Sequence, residues 1–132
     1  MSNADLTKGR EMRRQLLGDD YVDNIAAKTY KDPMMTKFID VVSETVFGAL
    51  WTRPGLDLKT RTLITVISDA STGREPELAI HLRMARRQGW TEEELTEALL
   101  HLTGYVGAPL VRDAMLVAVK VFADLRAEGM PA

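Results

Sequence analysis

Apolar residues recur at intervals of three and four between glycine and proline breaks along nearly the whole chain. That period favours helices over strands. The stretch DPMMTKFIDVVSETVFGALW shows it plainly. Asp32 stands where a cap is needed, and Pro33 takes the first helical position, where its missing N–H costs nothing. Met35, Phe38, Ile39, Val42, Val46 and Leu50 then fall on one side, so the spacing predicts one amphipathic helix. TRPGLD ends it, because Pro54 and Gly55 form a turn and Asp57 can cap the next element.

The other segments follow the same grammar. LTKGREMRRQLLG predicts a helix over residues 5–17 with Gly18 as its stop, and DDYVDNIAAKT a short helix opened by capping carboxylates. LKTRTLITVISDASTG holds a β-rich core, TLITVI, that would suit a short strand, but its length and neighbours predict a buried helix. Thr91 and Glu94 form a capping box before a helix whose stripe is Leu95, Leu99, Leu102 and Val106. Gly107 ends that helix, Pro109 restarts the chain, and a last helix turns Val111, Met115, Ala118 and Phe122 inward. The expectation is an all-α, single-domain protein over residues 1–132, without repeats or linkers.

Composition narrows the function. At 132 residues, 45% of them hydrophobic and 27% charged, the chain can bury a real core, and a disordered reading is excluded. A formal net charge of −2 offers nucleic acid no footprint. There is no cysteine, which removes disulfides, thiolate metal sites and thiol nucleophiles together. With two histidines and no thiol, a zinc site would need carboxylates to complete it, and no metal is expected. The amino-terminal residues lack the apolar core of a signal peptide, and no apolar run reaches 18 residues, so a cytoplasmic protein off the membrane is expected. The seven methionines read as core fillers, and Arg83, Arg86 and Arg87 as a solvated face.

The chemistry concentrates in GREPELAIHLRMARRQG, residues 73–89. On a helix, Arg74, Glu77 and His81 project within an arc of ~60°, beside Leu78, Leu82 and Ala85. Glu77 and His81 stand at i and i+4, a spacing that lets a carboxylate orient an imidazole. His101 and Tyr105 repeat that spacing on the next helix, flanking its apolar stripe. Two histidines beside apolar stripes on neighbouring helices suit a shared pocket.

WTRPGLDLKTRTLIT followed by GREPELAIHLRMARRQGWTEEELTEALLHLTGYVGAP resembles the 4-carboxymuconolactone decarboxylase family of the alkylhydroperoxidase-D-like superfamily. The likeness extends to the amino-terminal MRRQLLGDDYVD. It implies an all-helical bundle assembled as a homo-oligomer, a hexamer or a trimer. The superfamily's peroxidases carry two cysteines and a histidine spaced C-x-x-C-x-x-x-H, and here those positions read Arg74, Glu77 and His81. The histidine remains and the thiols are gone.

By resemblance, the reaction is the cofactor-free decarboxylation of 4-carboxymuconolactone to the β-ketoadipate enol-lactone in aromatic-acid breakdown. Loss of CO₂ leaves charge that spreads to the lactone oxygen, so the ring is its own electron sink. A protein then supplies a cation for a carboxylate, a donor for the oxyanion and an acid for ring carbon. For that chemistry His81 is assigned as proton donor oriented by Glu77, and Arg74 as the group that binds carboxylate or lactone oxygen. Tyr105 and His101 are further candidates for the oxyanion or the proton, and Trp51 and Arg53 for the mouth of the site.

One departure stands out: where the family typically reads YCGVPAANHAF, this chain reads YVGAPLVRDAM, so an Asn-His pair becomes Arg112-Asp113. A related decarboxylase or isomerase acting on another small lactone or carbonyl acid is therefore a second expectation. A non-catalytic, ligand-binding helical oligomer is a third. Peroxidase activity is excluded on chemical grounds, since no thiolate is there to attack a peroxide. The purified protein should consume no peroxide above a buffer blank in the presence of a thiol reductant; a saturable, protein-dependent rate would contradict this.

Overall fold

Capping residues fix the helix boundaries as local chemistry dictates. Asp32 accepts from the Met34 N–H at 2.9 Å, Asp57 from the Thr60 N–H at 2.7 Å, and Thr91 and Glu94 form the reciprocal capping box. A computed structural model describes residues 3–132. It contains seven α-helices: α1 (Asn3–Leu17), α2 (Asp19–Lys28), α3 (Pro33–Val42), α4 (Leu58–Thr72), α5 (Glu75–Arg87), α6 (Glu92–His101) and α7 (Ala108–Ala127). A π-helical segment, Ser43–Leu50, follows α3, and a 3₁₀ turn, Leu102–Gly104, follows α6. No strand occurs among the described residues, so TLITVI is helical, inside α4. None of the helices is long and apolar enough to cross a membrane. The contacts group the chain into two compact units divided between Leu56 and Asp57.

In the first unit, α1 packs against the π-helical segment. The approach is so close that a β-carbon built on Gly9 would lie 1.6 Å from the Ser43 carbonyl oxygen, and one on Gly48 would lie 2.2 Å from that of Asp5. Glycine is the residue that permits two helix backbones to come this near. The π turn alters the expected amphipathic helix. Ser43, Glu44 and Gly48 of the segment are buried, while Leu50 and, in α3 before it, Phe38, both expected inside, are each 52% exposed. Arg13 of α1 is buried, its guanidinium 5.8 Å from the Tyr30 ring centroid and 5.9 Å from that of Phe47. Burial holds its pKa below the usual guanidinium value.

The second unit contains the larger apolar core. Val66 and Ala70 of α4, Leu78, Leu82 and Ala85 of α5, Leu95 and Leu99 of α6, and Val111, Ala118 and Phe122 of α7 bury one another. Each such leucine contributes about 1.5–3 kcal/mol on leaving water. Met115 lies against this core, as the period of α7 predicts. Trp90 ties α4 to the start of α6: its indole N–H donates to the Lys59 carbonyl at 2.9 Å, with the Lys59 ammonium 4.4 Å above the ring.

Arg86 departs from the expected solvated face. It is buried, donating to the Trp90 carbonyl at 2.6 Å and to the Pro131 carbonyl. The helical period could not show this, because the two carbonyls come from the turn after α5 and from the chain's last residues. Arg87 is exposed as expected, and Arg83 is half-buried in an ion pair with Glu128 at 2.8 Å.

Two outcomes follow. Gly9→Ala should destabilise the protein by roughly 1–3 kcal/mol in chemical denaturation, because a methyl group cannot share space with the Ser43 carbonyl. Unchanged stability would contradict the close crossing. The Thr60 hydroxyl and amide lower the pKa of Asp57 below the usual carboxylate value. Its contribution to stability is thus present at neutral pH and lost as pH falls through that lowered pKa. Asp57→Asn retains a capping side chain that does not titrate, so its Tm should drop less than the parent's between pH 7 and about pH 3.

Candidate active site

Three residues of α4 share its buried face at spacings of four and three: Thr62, Val66 and Asp69. Two are expected of a core helix, and the third is a carboxylate. α4 ends at Gly73, whose φ of +70° gives the left-handed cap that a side chain would strain, and the Gly73 and Arg74 N–H groups both return to the Asp69 carbonyl. The chain reverses there. Arg74 is the cap of α5, Pro76 sits in its first turn, and the Leu78 N–H donates to the Arg74 carbonyl at 2.9 Å.

This hairpin sets His81 of α5 against Asp69 of α4. Nδ1 of His81 lies 2.5 Å from Oδ2 of Asp69, with side-chain exposures of 19% and 5%. A carboxylate so buried needs a partner, and the imidazole is the partner it has. Asp69 also lines a small cleft with Arg74, Glu75, Leu78, Leu110 and Asp113, so a guanidinium and two further carboxylates stand at the same opening. The hairpin thus holds an imidazole against a buried carboxylate and leaves the Arg74 guanidinium exposed at its turn.

The expected orienting carboxylate is replaced. Glu77 is exposed and makes neither a hydrogen bond nor an ion pair with His81, whose partner is Asp69. The predicted arc fails at its start, because Arg74 precedes the first helical residue and Glu77 lies in the first turn, open to solvent; of the three, only His81 is drawn in. Asp69 was missed. The available signal is a carboxylate three residues after Val66 and beside Ala70, on the inward side of α4.

The second predicted pair forms separately. α6 ends at His101 rather than continuing to Val106, and the His101 and Tyr105 rings stand 5.2 Å apart, both exposed. No hydrogen bond or ring contact joins His101 to His81. In the first unit, Trp51 is buried and stacked on Phe47, with centroids 6.1 Å apart, the anchor of a core; Arg53 is exposed. Arg112 and Asp113 pair at 3.3 Å at the start of α7.

Comparison with known proteins gives the family. Residues 37–120 match the carboxymuconolactone decarboxylase family. The chain is 38% identical over 118 residues to the 4-carboxymuconolactone decarboxylase of Acinetobacter baylyi, covering 89% of this chain and 87% of that one. It is 35% identical over 122 residues to the nitrosuccinic acid decarboxylase of Metarhizium robertsii, covering 92% and 84%. It is also 30% identical over 125 residues to an uncharacterised 15.0 kDa protein of Paracoccus denitrificans, covering 90% and 88%. The matched span contains the whole α4–α5 hairpin with Asp69, Arg74 and His81, and on that extent of likeness the chain belongs to the carboxymuconolactone decarboxylase family.

Proposed function

We propose that this protein decarboxylates a small lactone carboxylic acid, 4-carboxymuconolactone in the first instance, and releases the β-ketoadipate enol-lactone. The observation that carries this reading is the His81 imidazole, tied to a buried carboxylate twelve residues before it, in a chain 38% identical to a decarboxylase of that substrate. The reaction asks little of the protein. As the C–CO₂ bond breaks, its electron pair enters the unsaturated lactone and comes to rest on the lactone oxygen, and a proton must then reach ring carbon. His81 delivers that proton, and Arg74 at the opening of the cleft holds substrate carboxylate or the developing oxyanion. Tyr105 and His101 are candidates for a further contact to the oxyanion. The ring supplies the electron sink, so the step calls for no cofactor.

A second reading has its own support. Asp113 lines the same cleft as Arg74 and Asp69, and with Arg112 it stands where the family pattern has an uncharged Asn beside a His. An added carboxylate at the opening alters which acid is held best, and a relative that is 35% identical decarboxylates nitrosuccinic acid. A small acid with a different electron sink is thus the alternative substrate. For the assembly we propose a homo-oligomer, consistent with the exposed Met34, Phe38, Val41 and Leu50. A cytoplasmic enzyme fits the described residues, among which no helix is long and apolar enough to cross a membrane.

The test is CO₂ release from 4-carboxymuconolactone and from nitrosuccinate side by side. Turnover of the lactone supports the first reading, and turnover of nitrosuccinate alone supports the second. Ligand-induced melting shifts without CO₂ would point to a binding protein. In an active preparation, His81→Gln should keep the helical spectrum while turnover falls by at least ~10². Glu77→Gln should cost much less, since Glu77 does not hold the imidazole.

A further inference from the structure

We propose that Asp69 is the positioning residue that decides which nitrogen of His81 trades protons with substrate. The inference rests on His81 being the proton donor. An ionised carboxylate can only accept, so the 2.5 Å contact makes Nδ1 of His81 the donor and leaves Nε2 as the nitrogen free to exchange a proton. The exposures agree with this division, since the Asp69 side chain is 5% exposed and that of His81 is 19%.

The proton balance is closed. In the protonated ring both nitrogens carry hydrogen. As CO₂ departs and the electron pair moves into the lactone, Nε2–H gives its proton to ring carbon, and the N–H electrons stay on Nε2. The ring is left neutral with hydrogen on Nδ1, the form Asp69 already binds, so nothing around it rearranges. A proton from water restores Nε2–H for the next turnover. Glu77 cannot perform this service from solvent, and Arg74 carries no acceptor. Position, rather than identity, separates the two carboxylates: Asp69 belongs to the helix opposite, and Glu77 shares α5 with His81.

The decisive measurement is the ring-nitrogen NMR of His81 in the unaltered protein, at a pH where the imidazole is neutral. It needs neither substrate nor variant. Hydrogen on Nδ1 is expected, and hydrogen on Nε2 would overturn the proposal. The second arm is Asp69→Asn, whose amide can also donate to Nδ1 and so admits the opposite tautomer. Its kcat should fall at least ~10-fold with KM within about threefold, because the loss is in proton delivery rather than in binding. A folded Asn variant with full kcat would show that the pair only stabilises the hairpin and would overturn the positioning role. If the parent has Nδ1–H yet releases no CO₂ from the lactone, the substrate reading falls while the assignment of Nε2 as the exchanging nitrogen stands.

Discussion

Placing a carboxylate among apolar side chains costs several kcal/mol unless another charge or a strong donor meets it. In the second unit Asp69 incurs that cost, and the architecture around it supplies the donor. Gly73 permits the reversal, Leu78 and Leu82 seat α5 against α4, and the register of that packing delivers the imidazole to the carboxylate. Had α5 docked one residue out of register, Asp69 would be a buried, unpaired anion. The polar pair and the apolar core therefore specify the same helix alignment. Agreement of this kind between packing and polar satisfaction is what gives a fold a single arrangement.

The same hairpin separates what is exposed from what is held. Arg74 and Glu77 stand two turns and one turn before His81, both open to solvent, while Asp69 and His81 face each other between the helices. Exposed positions can be altered at little cost to stability, whereas the buried partner of the imidazole cannot be removed without stranding a group inside. A change at Arg74 or Glu77 would alter the charge at the turn and leave the held imidazole in place.

What could be read from the sequence was what depends on near neighbours. The caps at Asp32, Asp57 and Thr91, the break at Pro54 and the inward stripe of α7 each follow from residues within a turn or two, and the structure has them, whereas α6 ends early at His101 and Gly107 opens α7 instead of closing the helix before it. His81 was legible as a candidate because a histidine beside an apolar stripe is conspicuous. Its partner was not, since nothing in local spacing says which of two carboxylates faces it across a hairpin. Arg86 escaped for the same reason, as one of the carbonyls it satisfies lies 45 residues away in sequence. The π-helical turn was hidden too. It coincides with the approach of α1 through Gly9 and Gly48, and a single strand of text shows neither glycine near the other's helix.

That π segment bears on how chain length is tolerated here. A turn closed by a bond from residue i back to i−5, as the Trp51 N–H makes to the Val46 carbonyl, stores one residue more than an α turn. Deleting a residue between 43 and 50 would let the segment relax to ordinary winding instead of breaking the helix, because one residue fewer at about 100° each sweeps nearly the angle that the wider turns sweep. Trp51 would then stay on the face that meets Phe47. An aligned relative with a one-residue gap in this stretch should accordingly keep its aromatic anchor in place, a gap that reads as a lost residue in the letters and as a change of helical winding in three dimensions.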